Sequence, residues 1–179
     1  MARVRVTLTT LIAAMLLAGC HSKTSATPDN FMKALNTHYL DHSECLIPDA
    51  PRFPFETSDP AKTKQMDSLV KAQLLEVSKE LSIHVSRYTP TVTGARVVPR
   101  FCYGHRNITS IDSFTPPAVA KSGFPETQVT YSYDLKDVPV WARTPEVEAA
   151  FPEMAKAISG TSTDHAILAK TLVAWTIPE

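Results

Sequence analysis

Glycine is scarce, five residues in 179, and the scarcity narrows the chemistry open to this chain. A phosphate-cradling loop needs several glycines so that backbone amides approach the ligand closely. Neither that loop, nor a dinucleotide fingerprint, nor a Gly-x-Ser-x-Gly elbow occurs. Charge of one sign is missing too: 18 basic residues balance 18 acidic ones, without a long block of either. Such a chain has no electrostatic footprint for nucleic acid, nor for a polybasic contact with a membrane. None of the three cysteines sits in a Cys-x-x-Cys pair, so a redox activity lacks support. The one apolar run, from about Val6 to Leu17, makes a helix of roughly 18 Å, short of the ~30 Å hydrocarbon core of a bilayer. A permanent transmembrane helix is the poorer reading.

What the run does fit is an export signal. Arg3 and Arg5 precede it and small residues follow it. Leu17-Ala18-Gly19-Cys20 then resembles the lipobox of bacterial lipoproteins, a resemblance confined to residues 1–20. It implies that residues 1–19 are a signal peptide and that Cys20, acylated on sulfur, becomes the mature N-terminus. Two or more acyl chains make such an anchor stable. By the same resemblance, His21 at the position where the family's inner-membrane members carry aspartate implies the outer membrane instead. The other reading is an ordinary secretory peptide with a cysteine at its cleavage site by chance.

Cleavage before Cys20 would leave 160 residues, one domain's worth. Residues 20–28, small and polar, read as a flexible lipidated tether, and 29–179 as a single globular domain. In an oxidising compartment Cys45 and Cys102 predict one disulfide; two buried free thiols are the alternative.

Asp29 reads as the cap of a helix over 30–42, on which Phe31, Leu35, His38, Tyr39 and His42 fall at helical spacing. Prolines at 48, 51 and 54 predict an extended strap. Asp59-Pro60 starts a helix to about 74, and Thr144-Pro145 another over 145–158, bent near Pro152. Alternation predicts strands at Leu81–Ser86, Arg96–Tyr103, Gln128–Leu135 and Ile167–Trp175. Ile108–Phe114 pairs back in the same sheet, although its apolar spacing is ambiguous. The expected class is α+β, three helices against a small antiparallel sheet. Leu69 to Leu75, a strand, Tyr88-Thr89 and Thr93-Gly94 also resemble the helix-to-wing stretch of winged-helix domains, over about residues 66–95. That resemblance implies shape alone, because the chain has no basic face for DNA.

Candidate chemistry is thin. His38 and His42 share a helix face at the spacing of paired metal ligands, with the nearby Glu44 and the remote His84, His105 and His165 as further candidates. Tyr39 stands where an HExxH motif has its glutamate, and histidines at the edge of a packed helix are the preferred reading. Ser68-Leu69-Val70-Lys71 resembles the Ser-x-x-Lys of penicillin-binding proteins, but the Ser-Asp-Asn and Lys-Thr-Gly partners are absent. Both residues are expected on the solvated helix face. Tyr103, Tyr131, Tyr133 and Trp141, with Phe101 and Trp175, are either core or a recognition surface of rigid anchors. The sequence calls for no cofactor, no metal and no catalytic residue. It points to an envelope lipoprotein, attached to the membrane through Cys20, that binds another envelope protein. The alternatives are a periplasmic metal-binding protein or enzyme built on His38 and His42, and a binder of a small apolar ligand.

Overall fold

The computed structural model describes residues 22–178; the expected signal peptide, 1–19, and the expected lipidation site Cys20 lie outside them. Helix α1 covers Pro28–Asp41. Its cap is Thr27, not Asp29: the Thr27 hydroxyl accepts the Asn30 amide at 3.4 Å, and Pro28 takes the first-turn position, where a missing N–H costs nothing. The residues before it are not a free tether. Asn30 Nδ2 donates to the carbonyls of Ser22 and Ser25, both at 2.9 Å, and Trp175 Nε1 donates to Ser25 O at 3.1 Å.

Strands β1 (Glu44–Cys45) and β2 (Phe55–Thr57) flank the proline strap, and α2 covers Pro60–Lys71. Asp59 caps α2 by accepting the Ala61 and Lys62 amides at 2.8 and 3.0 Å. The helix stops three residues earlier than its apolar stripe suggests, because Gln73 turns to a left-handed φ of 61°. The hairpin of β3 (Leu75–Glu80) and β4 (Val85–Pro90) follows. This corrects the strand expected at 81–86: Leu81 to His84 form the turn, Leu81 and Ile83 stand in solvent, and His84 has a φ of 54°. The strand expected at 96–103 also fails before Cys102. Val97, Val98 and Phe101 donate their amides to Gly94 and Val97 carbonyls in local turns, leaving none for a ladder.

The remaining elements are β5 (Cys102–Phe114), β6 (Ala118–Val119), β7 (Pro125–Lys136), α3 (Pro145–Ala150), α4 (Pro152–Ile158), β8 (Ser162–Lys170) and β9 (Trp175–Thr176). Pro152 splits the expected third helix in two, so the described residues form an α+β fold with four helices. Two antiparallel sheets result, a larger one ordered β1-β5-β7-β8-β9 with β6 beside β7, and a smaller one ordered β2-β4-β3.

Each sheet has its own core. Phe31 and Leu35 of α1 pack on Ile108, Val129, Tyr131, Leu168 and Trp175 of the larger sheet; burying such side chains contributes about 1.5–3 kcal/mol each. Met66, Leu69, Leu74, Leu75, Tyr88, Phe101 and Met154 fill the second core under α2 and α4. Cys45 and Cys102 are register partners of β1 and β5 and are joined by a disulfide.

Gly94 seats the smaller sheet. A Cβ there would lie 1.7 Å from the Leu74 carbonyl oxygen, a backbone atom that cannot swing aside. Gly94→Ala is therefore expected to lower stability by about 1–3 kcal/mol or more. A denaturant melt with an unchanged midpoint would show that the loop backbone yields instead.

Candidate functional site

Helix α1 has a different neighbour on each flank. One is a buried cluster around Arg106 of β5, whose side chain is 16% exposed. Its Nε donates to Glu44, and one terminal nitrogen donates to Asp164 at 2.6 Å, to the Tyr131 hydroxyl at 2.9 Å and to the Tyr39 hydroxyl at 3.4 Å. The guanidinium also lies 4.9 Å from the Tyr39 ring and 4.6 Å from the Tyr133 ring. Tyr39 and Tyr131 share a hydrogen bond of 2.7 Å. Burial pushes the Tyr103 phenol up to about 12, with the Glu44 carboxylate adding to it. Burial raises Tyr131 as well, and its bond to Tyr39 raises it further. Burial alone would lower the Arg106 pKa, but the bond to Asp164 and the charge of Glu44 raise it overall, so the cation is fixed.

Four of the five tyrosines therefore gather here, and they are not a recognition surface. Tyr131 is fully buried, and Tyr103 and Tyr133 nearly so. Trp141 lies in the other core, half-buried, its Nε1 without a hydrogen-bond partner among the described residues.

The opposite flank of α1 is open. A groove of about 310 Å³ runs between α1 and residues 174–177, with Ala34, Ala174, Trp175 and Ile177 as its apolar lining. Lys23, Lys33, Thr37, His38, Asp41 and His42 supply the polar lining. The two imidazoles lie face to face, 3.9 Å between centroids and 7° between planes, and His42 Nδ1 is 2.7 Å from the His38 carbonyl oxygen. Burial lowers the His38 pKa and the neighbouring His42 lowers it further, against an opposing contribution from Asp41.

No family model matches the chain, and no curated protein or solved structure matches it either.

The other candidates are dispersed. His84 is in the hairpin turn, His105 approaches Asp137 at 3.4 Å, and His165 lies on the exposed face of β8. Glu44 is committed to Arg106. Among the described residues no group of three or more His, Cys, Asp or Glu side chains converges as a metal site would. Ser68 corrects the solvated-face expectation: it is buried, at the edge of a cleft between α2 and α3 that Lys71 also lines. Its hydroxyl donates to the Gln65 carbonyl at 2.7 Å, a bond within its own helix.

The sequence drew attention to the imidazoles of this groove but not to its far wall. The i, i+4 spacing flagged His38 and His42; no local signal pairs α1 with residues some 140 positions later in the chain. Arg106 was missed altogether, because it falls between the segments expected at 96–103 and 108–114, where an arginine looks solvent-facing.

Proposed function

We propose that this chain is a lipoprotein of the bacterial envelope whose domain is a non-enzymatic binding module, anchored through Cys20 in the outer membrane. Its binding surface is the groove between α1 and β9, and its partner is an extended, mainly apolar segment of another envelope protein. The groove carries the reading: it is concave, its lining is largely apolar, and a few convergent polar groups can fix the orientation of what enters. β9 is the last strand of its sheet, so an extended segment lying along it has backbone groups to pair with. The Cys45–Cys102 bridge is consistent with an oxidising compartment.

The reading is tested by placing a photo-crosslinking side chain at Thr37 and, separately, at Thr176, one on each wall. Ser82 in the exposed hairpin turn serves as control. Irradiation of intact cells is expected to give one and the same protein adduct from the two groove positions and none from Ser82. Bare, uncrosslinked chain at both groove positions would overturn the proposal.

A further inference from the structure

At the end of the larger sheet where α1 begins, two turns project side by side. Glu126 of β7 is the register partner of Ala169 of β8, so the β6–β7 turn and the β8–β9 turn leave the sheet at the same end. Their tips are apolar and stand in water: Val119 is 74% exposed, Phe124 54%, Leu172 98% and Val173 74%. Isolated exposed hydrophobes are ordinary, but four on two adjacent tips form a patch that usually marks a contact.

A second observation says what the contact is. Ser22, two residues after Cys20, lies at this same end and is tied down. Ser22 and Ser25 are held by Asn30 and Trp175, Lys23 lines the same groove as Ala174, and Ala174 closes the turn that carries Leu172 and Val173. Only His21 separates Ser22 from Cys20, and two peptide steps reach at most about 7 Å. An acyl chain on Cys20 then has no slack with which to hold the domain away from the bilayer.

We propose that this end of the domain docks on the lipid surface itself. Val119, Phe124, Leu172 and Val173 enter the boundary between headgroups and acyl chains, and Lys23, Lys121 and Lys170 face anionic headgroups. Glu126, which accepts a hydrogen bond from Ser122 at 2.7 Å, and Asp29, exposed in the first turn of α1, are acidic groups at this end. The contact is apolar with a few lysines, so it needs none of the polybasic sequence that the chain lacks. It leaves the groove beside the membrane and the smaller sheet away from it. The proposal rests on the acylation of Cys20 proposed above.

The test uses the full chain, processed in cells and reconstituted into vesicles of phosphatidylethanolamine with a minor share of phosphatidylglycerol. Phe124→Trp and Leu172→Trp place an indole on each tip, and Val140→Trp places one at an exposed position of the other lobe. Lipids brominated on the acyl chains are expected to remove most of the added emission at 124 and 172 and little at 140. Vesicle flotation with an acylated Cys20, but quenching at 124 and 172 no greater than at 140, overturns the docking and leaves the anchor standing. An unmodified Cys20 on a chain that does not float with vesicles removes the anchor and the docking together.

Discussion

Arg106→Met is expected to lower the stability of the domain by about 2–3 kcal/mol, below the ~3–5 kcal/mol for removing one partner of a fully buried ion pair, because the Glu44 and Asp164 side chains are 27% and 37% exposed. The guanidinium is the common partner of Glu44, Asp164, Tyr131 and Tyr39, and its central carbon lies over the Tyr39 and Tyr133 rings. Methionine fills much of the volume but takes the guanidinium from two partly buried carboxylates and two hydroxyls; the hydroxyls keep only their bond to each other, and Asp164 keeps only the hydrogen bond from the His165 amide. Against the ~5–15 kcal/mol that holds a typical domain together, that is a severe loss. Arg106→Lys is expected to recover only part of it, because one ammonium cannot serve a carboxylate on each side at the angles a guanidinium fork provides. A guanidinium chloride melt separates the cases. A loss below about 1 kcal/mol would mean that the cluster behaves as a solvent-screened surface pair.

The same substitution changes the response to acid. Burial by itself would push the Asp164 carboxyl up, but the His165 amide and the Arg106 guanidinium outweigh it and hold the carboxyl below its ordinary value. A carboxyl whose folded pKa is depressed stabilises the fold above the unfolded pKa, and that contribution is lost as pH falls through the folded one. The native chain therefore loses stability below about pH 4, the unfolded aspartate value. Without Arg106 the carboxyl is released toward that value, so the difference between native chain and variant narrows as the pH drops. Parallel stability curves from pH 7 to pH 3 would remove Arg106 as the cause.

The sequence made the helix starts legible and the strand limits less so, for physical reasons that particular residues show. Asp59-Pro60 places a helix start because a capping carboxylate and a preset φ are local properties; at Thr144-Pro145 the preset φ alone suffices, since the Thr144 hydroxyl caps nothing and donates to the Trp141 carbonyl. β7 is legible because Val129, Tyr131 and Tyr133 face the core while Gln128, Thr130 and Ser132 face out, a period of two held without a slip. β5 is ambiguous in sequence because Ile108, Ile111 and Phe114 recur every third residue. The register shifts between Ile108 and Ser110 and again between Ile111 and Ser113. Each bulge inserts one residue, and the α1-facing side chains stay on one face at a helix-like spacing. Leu81 and Ile83 mislead in the opposite way, alternating in a turn where nothing covers them. The Arg106 cluster and the groove were not legible, since each joins side chains that only the strand order β5-β7-β8-β9 brings together.

Breaking the Cys45–Cys102 bridge is expected to lower stability by about 4 kcal/mol and the melting temperature by about 10 °C. The bridge joins residues 57 apart, so in the chain-entropy account it removes a large set of open conformations from the unfolded state. The enclosed loop is also a structural unit: β2, α2, β3 and β4 all lie between the two cysteines. The β1–β5 ladder that closes it has only two register pairs, Glu44 with Gly104 and Cys45 with Cys102. Two further bonds, from the Leu46 and Ile47 amides to the Phe101 and Arg100 carbonyls, continue the pairing into the loop, and the covalent bond is what keeps these few contacts together when the lobe opens. Cys45→Ser with Cys102→Ser is thus expected to loosen the α2 lobe before the larger sheet, whose long β5, β7 and β8 ladders are independent of the bridge. Hydrogen exchange reads the difference directly: amides of α2 and β4 exchange well ahead of those in β7 once the bridge is gone. Equal acceleration in the two lobes would mean that they unfold as one cooperative unit, with the bridge acting on the unfolded chain as a whole.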